Sequence, residues 1–262
     1  MPESSEALRL VEVADGLAEI RIDRPRTRNA FDLAMWRTLA HIADRLAGRA
    51  DLRCVVLRSA VPGAFCSGAD LGQFASERGS WEATLAYEEV GKSALQALRG
   101  LPMVTMSTID GDCFGGGVEL ALSCDLVLAS EQSRFCLPPA RLGLVYDEPG
   151  TAFLASRVPG PVLRWMLLTA QPVTAAQLGA CQVIPDDGFG EFAQRTALSV
   201  SRLAPLALRG TKQMLDWTMA PTGSGSPEPD WLQLRREATE SEDHREAVAA
   251  FAERRSPIFQ GF

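Results

Sequence analysis

Two glycine-rich loops, each following a short apolar run, constrain the fold of this chain more than any other feature. Cys54–Leu57 (CVVL) and Pro102–Ile109 (PMVTMSTI) are runs typical of strands buried on both faces of a parallel sheet. The loops after them read AFCSGADL over Ala64–Leu71 and GDCFGGGVE over Gly111–Glu119. Because the carboxyl ends of parallel strands meet at one edge of a sheet, we expect the two loops to build a binding site together.

Strand and helix patterns alternate over the first part of the chain. Leu8–Val13 and Leu17–Ile22 alternate apolar and polar residues around Asp15-Gly16, which predicts a β-hairpin. The later predicted elements are helices at Phe31–Leu46, Trp81–Leu98 and Val118–Ser123 and a buried strand at Leu126–Ala129. This alternation predicts a right-handed βαβ build-up around a parallel sheet.

After about Val183 the pattern becomes almost entirely helical. The predicted helices are Phe189–Leu203, Pro205–Met219, Trp231–Ser241 and His244–Arg255. Ala220–Pro229 (APTGSGSPEP) has the composition of a loop. We therefore expect an α/β core over residues 1–200 and a helical C-terminal segment over 201–262. That segment is too small to stand alone and is expected to pack on its own core or on a neighbouring subunit.

Composition restricts the class of function. Hydrophobic residues make up 46% and charged residues 23%, the balance of a folded globular protein. A net charge of −7 argues against binding to nucleic acid, and the apolar runs are far shorter than the ~20 residues of a membrane span. The first residues, MPESSE, lack the basic and apolar regions of a signal peptide, so we expect a cytoplasmic protein.

Histidine and cysteine usage leaves little room for metal or triad chemistry. The chain has two histidines, His41 and His244, which disfavours His-based zinc sites and Ser-His-Asp triads. Its six cysteines include no CxxC pair and are interpreted as reduced packing residues. We expect no metal site.

The glycine loops themselves suggest how a ligand is held. Glycines let backbone N–H groups come close to a ligand, and a glycine run at a helix start presents the positive end of the helix dipole. One N–H donor from each loop can hold a developing oxyanion. Neither loop matches a nucleotide-binding motif, since GxxxxGK[ST] and GxGxxG are both missing from these loops.

Several motifs together resemble the crotonase (enoyl-CoA hydratase/isomerase) superfamily. Besides the two glycine loops they are RPRTRNAF over Arg24–Phe31, CDL over Cys124–Leu126, ARLG over Ala140–Gly143, LAPLA over Leu203–Ala207 with Lys212, SED over Ser241–Asp243 and RRSPIF over Arg254–Phe259. The resemblance implies an α/β fold, a ββα spiral with parallel sheets and a helical C-terminal trimerisation segment. That segment would cover the site and form the oligomer interface.

The resemblance also implies the ligands and partners. The substrate would be an acyl-CoA or acyl-carrier thioester, with coenzyme A as part of the substrate and no separate cofactor. The protein would assemble as a homotrimer or a dimer of trimers. The amides of Ala69 and Gly116 would polarise the thioester carbonyl and stabilise an enolate, beside Glu119 as acid or base. Hydratases of the family place a second glutamate where this chain has Pro139, so their usual two-glutamate mechanism is excluded here.

A short polar stretch offers groups that compensate for the missing glutamate. Tyr146 can donate a hydrogen bond while staying neutral, and Asp147 or Glu148 can act as a base or hold a substrate group through water. For the two acids, a solvated loop that opens a helix at Pro149 is an equally good interpretation. Leu142–Tyr146 also resembles the methylmalonyl-CoA decarboxylase branch, although that branch has a histidine where this chain has Ala69.

Further substrate-binding candidates rest on the resemblance. They are Arg26, Asn29, Ala30, Cys66, Gly68, Asp70, Leu71, Gly115, Pro139, Glu148, Lys212 and Phe259. Asp70 as a helix cap and Cys66 as a packing residue are the competing interpretations. Phe74, Trp81, Leu85 and Tyr87 are candidates for an acyl pocket, or for the core.

Three functions remain open at this point. The first is hydration or dehydration of an enoyl-CoA-type thioester by Glu119. The second is decarboxylation of a malonyl- or methylmalonyl-type thioester, which forms the enolate without a base. The third is a non-catalytic member that only binds acyl-CoA.

Overall fold

The computed structural model describes residues 7–73, 78–219 and 228–262. Phe74 and residues 220–227 of the predicted loop therefore lie outside the described residues. None of the described helices is long and apolar enough to cross a bilayer.

A six-stranded sheet carries the core. Its strands are β1 (Leu8–Ala14), β2 (Leu17–Ile22), β3 (Cys54–Ser59), β5 (Val104–Ile109), β7 (Leu126–Ser130) and β10 (Gln182–Ile184), in the order β1-β2-β3-β5-β7-β10. β1 and β2 form the predicted hairpin, with Leu10 opposite Ile20, and the later pairs are parallel. The expected α/β fold with mixed, mostly parallel sheets is confirmed.

A second, smaller sheet was not predicted from the sequence. It contains β4 (Ala64–Cys66), β6 (Asp112–Phe114), β8 (Arg134–Cys136) and β9 (Val173–Thr174), in the order β4-β6-β8-β9. Strands of two or three residues are too short to show a two-residue period, which is why the sequence did not reveal them. The parallel pairing of β4 with β6 brings the two glycine loops side by side.

Ten α-helices are described. They are α1 (Leu33–Ala47), α2 (Trp81–Arg99), α3 (Gly116–Leu122), α4 (Glu148–Arg157), α5 (Gly160–Thr169), α6 (Ala175–Leu178), α7 (Phe189–Val200), α8 (Pro205–Thr218), α9 (Trp231–Glu240) and α10 (Glu242–Glu253). The side chains of Asp32 and Ser80 cap α1 and α2 by accepting from backbone N–H groups in their first turns. Helix α5 had no counterpart in the sequence prediction.

Both faces of the six-stranded sheet are buried. Val55 and Leu57 of β3 point into the larger core cluster, which includes the inner face of α1. Cys54 and Val56, on the opposite face, join a second cluster with Phe189 of α7. This is the two-sided burial that continuous apolar strands predict, and it fixes the strand ends that carry the loops.

The C-terminal helices are attached to the sheet by a buried ion pair. Lys212 of α8 lies 2.7 Å from the Asp125 carboxylate, and its Nζ also donates to the Met103 carbonyl oxygen. At the end of the chain, Asp243 is buried and accepts from the amides of Gln260 and Gly261. The division into residues 1–200 and 201–262 stays a prediction.

Candidate active site

The two glycine loops touch through their backbones. A Cβ atom added to Gly68 would lie 3.1 Å from the Phe114 carbonyl oxygen and 3.7 Å from the Gly116 nitrogen. Gly68 also has a φ of +98°, a conformation that side chains disfavour. A Cβ on Gly117 would lie 2.8 Å from Cys66, so the second loop packs directly on the first.

The amides of Ala69 and Gly116 differ from those of Asp70 and Gly115. The Asp70 amide donates to the Phe31 carbonyl oxygen, and the Gly115 amide donates to the Cys136 carbonyl oxygen. Within the described part of the chain, no hydrogen bond is recorded for the amide of Ala69 or Gly116. Both residues line the same cavity, and Gly116 opens α3, where N–H groups are left without partners in the helix.

That cavity has a volume of about 560 Å³. Its described walls come from residues 36–153: the two glycine loops, one face of α2, and the chain from Pro138 to Phe153. A cavity of this size, with a few polar groups among apolar ones, is typical of a small-molecule site.

Glu119 is half-buried in the first turn of α3 and lines the cavity. The pKa of the Glu119 carboxyl is raised to about 7, chiefly by burial and also by the nearby Asp147 carboxylate, while the charges of Arg99 and Lys92 lower it. A carboxyl group with a pKa near 7 can both give and take a proton at neutral pH.

Asp147 joins two walls of the cavity. Its Oδ1 accepts from the Gly150 amide and caps α4, and its Oδ2 lies 2.6 Å from Lys92 of α2. A Cβ atom added to Gly150 would lie 2.5 Å from Asp147 Oδ1 and 2.6 Å from Glu119 Oε1. Gly150 therefore leaves the space in which these two carboxylates sit.

Tyr146 lies next to the same carboxylates. It lines the cavity and packs on the larger core cluster. Burial raises the pKa of its phenol well above the ordinary value, with Glu119 and Asp147 acting in the same direction, so the phenol stays neutral. No hydrogen bond is recorded for its hydroxyl group among the described residues.

Some of the predicted binding residues lie in the cavity wall and others support it. Gly68, Leu71, Gly115 and Pro139 line the cavity. Asp70 does not; it pairs with Arg24 and accepts from the Gly72 amide, as the capping interpretation predicts. Cys66 is buried behind the loop, where burial raises the pKa of its thiol to about 12, as expected for a packing residue.

A second group of predicted substrate-binding residues does not line the cavity of the single chain. Arg26 is exposed in a short 3-10 turn, and Ala30 is buried beside Asn29, whose side-chain amide donates to Ser59 and to the Phe65 carbonyl oxygen. Glu148 is exposed on α4.

The C-terminal candidates also lie apart from the described cavity walls. Lys212 is held in its buried ion pair, and the Phe259 carbonyl oxygen accepts from Arg53. Covering of the site by the C-terminal helices, and substrate contacts from Lys212 and Phe259, stay predictions.

Sequence reasoning missed most of the α2 wall. Glu88, Lys92, Leu95 and Arg99 follow one another at helical spacing and all line the cavity. That spacing is present in the sequence and could have identified the face. Tyr87 lines the cavity, whereas Trp81 and Leu85 are exposed outside it.

Comparisons with known proteins identify the family of this chain. A family model for enoyl-CoA hydratase/isomerase matches residues 12–261. A probable enoyl-CoA hydratase from Rhodobacter capsulatus is 33% identical over 95% of this chain and 96% of its own length. A carnitinyl-CoA dehydratase from Proteus mirabilis is 30% identical over 93% of this chain and 94% of its own length.

Among solved structures, an enoyl-CoA hydratase/carnithine racemase from Magnetospirillum magneticum superposes with a TM-score of 0.91. It is 29% identical and covers 99% of this chain and 97% of its own. The match confirms the crotonase fold. The chain belongs to the enoyl-CoA hydratase/isomerase family and is an enzyme of that family.

Proposed function

We propose that this protein adds water to, or removes water from, an enoyl-CoA-type thioester, with Glu119 as its single glutamate acid/base. The observation that carries the proposal is the placement of Glu119, with a pKa raised to about 7, in the same cavity wall as the two amides of Ala69 and Gly116. The family and its hydratase and dehydratase relatives support the same reaction type.

The amides would act on the thioester oxygen. Negative charge develops on that oxygen when a nucleophile attacks the double bond or a proton leaves the neighbouring carbon. Donors fixed in the backbone stabilise this charge without reorganising, and removing one such donor typically costs about 3 kcal/mol in the transition state.

Glu119 would move the proton. In hydration its carboxylate takes a proton from water as the oxygen attacks the β-carbon, and the resulting carboxylic acid then gives that proton to the α-carbon of the enolate. In dehydration the carboxylate takes the α-proton and then gives it to the departing hydroxyl group, which leaves as water. Tyr146 and Asp147 lie beside it and would orient the water or the hydroxyl group by hydrogen bonding. Pro139 lines the cavity without contributing an acid or base, so the chemistry falls to Glu119 and this neighbouring pair.

Decarboxylation of a malonyl-type thioester is the second candidate. The observation that favours it is the neutral Tyr146 phenol in the cavity, because loss of CO₂ forms the enolate directly and needs a proton donor but no base. The two candidates share the amide site and differ in which group gives or takes the proton.

Substitution of Glu119 tests the proposal. Glu119→Gln keeps the shape of the side chain and removes its acid/base function, so hydration of crotonyl-CoA and related enoyl thioesters is expected to fall by about 100-fold or more. Product mass separates the two candidates, because hydration adds one water and decarboxylation removes CO₂.

Glu131→Gln is the matched control, since Glu131 is exposed and does not line the cavity. It should keep full activity. Unchanged turnover of every accepted enoyl thioester by Glu119→Gln, or binding of thioesters with no turnover by the unaltered protein, would contradict the proposal.

The oligomeric state is part of the same proposal. Large apolar side chains stay exposed on the C-terminal helices, among them Trp217, Leu232 and Phe251, and Met219 is exposed directly after α8. A homotrimer or a dimer of trimers would cover such surface. Light scattering measures the mass of the assembly, and a monomer at micromolar concentration would contradict this expectation.

A further inference from the structure

Arg99 is a half-buried cation in the cavity wall with no carboxylate of the described chain paired to it. Its Nη1 donates to Ser123 Oγ at 3.3 Å, and its guanidinium lies 4.5 Å from the centre of the Phe153 ring. A guanidinium carries five N–H donors, so one bond to a serine leaves most of them available. Burial of a charge without a paired opposite charge is costly, and here burial lowers the pKa of Arg99. The charge of the nearby Glu119 carboxylate acts in the opposite direction, although no salt bridge between the two side chains is recorded.

The other basic side chains of the cavity are compensated. Lys92 pairs with Asp147 at 2.6 Å, and Arg78 lies 3.8 Å from Glu88. Arg141 is exposed, so water solvates its charge. Arg99 differs from all three because it is half-buried, faces the ligand space and has no carboxylate partner among the described residues.

Helix α3 shows which end of a ligand Arg99 would meet. Gly116 opens the helix, Glu119 follows in its first turn, and Ser123, which accepts from Arg99, comes directly after the last turn. With a rise of about 1.5 Å per residue, Ser123 lies roughly 10 Å along the helix from Gly116. Arg99 is therefore beyond Glu119 and on the far side from the amides of the glycine loops.

We propose that the acyl group in this cavity ends in a carboxylate and that the Arg99 guanidinium binds it. The substrates would be coenzyme A monothioesters of short dicarboxylic acids. This inference rests on the proposed function, because it takes the thioester oxygen to lie at the amides of Ala69 and Gly116.

The surroundings of Arg99 suit a carboxylate. The planar guanidinium matches the two oxygens of a carboxylate through two parallel N–H···O bonds. Contact with Phe153 and the bond to Ser123 restrict the guanidinium before a ligand arrives, which reduces the entropy lost on binding. The ligand carboxylate would form the direct ion pair that no carboxylate of the described residues forms with Arg99, since Glu119 acts on it through its charge without a recorded salt bridge.

Binding of saturated thioesters tests the inference without turnover. Glutaryl-CoA and valeryl-CoA have the same chain length and differ by a carboxylate in place of a methyl group. In calorimetric titrations the unaltered protein should bind glutaryl-CoA about tenfold or more tightly than valeryl-CoA. Arg99→Gln should lose that preference and keep its affinity for valeryl-CoA, which also shows that it is folded. Arg99→Lys should keep part of the preference.

Arg157→Gln is the matched control. Arg157 lies 5.7 Å from the same Phe153 ring but does not line the cavity, so its removal takes away the same charge and should leave the preference intact. Equal affinity of the unaltered protein for the two thioesters would overturn this inference. If Glu119-dependent hydration is found in the same protein, the proposed function would still stand. Loss of the preference in Arg157→Gln as large as in Arg99→Gln would also overturn this inference. Binding of neither thioester would overturn the proposed function as well.

Discussion

The paired glycine loops and the chain segment 138–150 form two parts of the wall of one cavity and are built in different ways. The loops are fixed by backbone contacts, with Gly68 against Phe114 and Gly116 and the Asp112 amide bonded to the Gly63 carbonyl oxygen. Segment 138–150 is exposed over much of its length, with Val145 94% exposed, and is attached by side chains, above all by Asp147 to Lys92.

The two constructions differ in how they respond to substitution of side chains. A site made of amides does not depend on which side chains stand at Ala69 or Gly116, provided that the backbone path is kept. A site made of side chains changes with each substitution, and here Pro139 stands where the resemblance to the family implies a second glutamate. We therefore expect the loops to control whether the protein folds and binds a thioester, and segment 138–150 to control which reaction follows.

The largest effect is expected where the two loops begin. A Cβ atom on Gly111 would lie 2.2 Å from the Gly63 carbonyl carbon, and Gly111 has a φ of +109°, so Gly111→Ala forces two backbones apart. We expect a loss of several kcal/mol of stability, at the upper end for single substitutions, or no soluble protein. Thermal denaturation measures it. Gly190→Ala, where a new Cβ meets nothing within 4 Å, is the control and should not destabilise.

Gly150→Ala is expected to separate activity from stability. The new Cβ would meet flexible carboxylate ends of Glu119 and Asp147, which can move away at modest cost in stability. Displacement of Glu119 by about 1 Å should lower kcat by roughly 100-fold. Gly160→Ala, which has open space at its Cβ, should leave kcat unchanged. A Gly150→Ala variant with normal kcat would show that the position of Glu119 is not restricted by segment 138–150.

The sequence was sufficient to predict elements that have a long hydrophobic pattern or a glycine-rich motif. The hairpin, the buried strand β3, helices α1 and α2 and the pairing of the two loops all follow from periodicity and turn chemistry. The small sheet of β4, β6, β8 and β9 did not, because its strands are held by neighbours distant in the chain rather than by local preference.

The candidate site divides in the same way. Ala69, Gly116 and Glu119 could be predicted because their motifs carry them, and all three line the cavity, while their roles stay a proposal. Arg99 was not predicted as a binding residue because its contacts with Ser123 and Phe153 are formed only in the folded chain. Asp147 was identified as an acid, but its ion pair with Lys92 depends on the packing of α2 against segment 138–150.

Substitution of either partner of the Asp147–Lys92 ion pair should shift the pH dependence of hydration, and the two substitutions should shift it in opposite directions. Because Glu119 must be ionised to accept a proton from water, kcat/KM should rise with pH through about 7. Asp147→Asn removes a charge that raises the pKa of Glu119 and keeps a capping oxygen for α4. The limb of the pH profile over which kcat/KM rises should therefore move to lower pH. Lys92→Gln removes a charge that lowers the pKa and should move the limb to higher pH.

Shifts of about half a unit or more are expected for charges at this range. Glu131→Gln should leave the profile in place. Shifts of both variants in the same direction would indicate that the limb reports a group other than Glu119.

The smallest expected effect is a gain in stability on removal of the Glu119 charge. The pKa of Glu119 is raised from 4.5 to about 7 in the folded protein, so the folded state binds a proton more tightly than the unfolded state does. The unaltered protein therefore loses stability as pH rises through this window, and Glu119→Gln does not. At pH 8 the variant should be more stable by roughly 1 to 3 kcal/mol, since one pKa unit corresponds to about 1.4 kcal/mol, with the difference shrinking towards pH 4.5. Denaturant titrations at the two pH values measure the difference. The proposed acid/base role requires that the gain in stability depend on pH. A gain of the same size at both pH values would mean that the amide side chain of the variant packs better than the native carboxyl group. It would also mean that the Glu119 charge does not destabilise the folded protein.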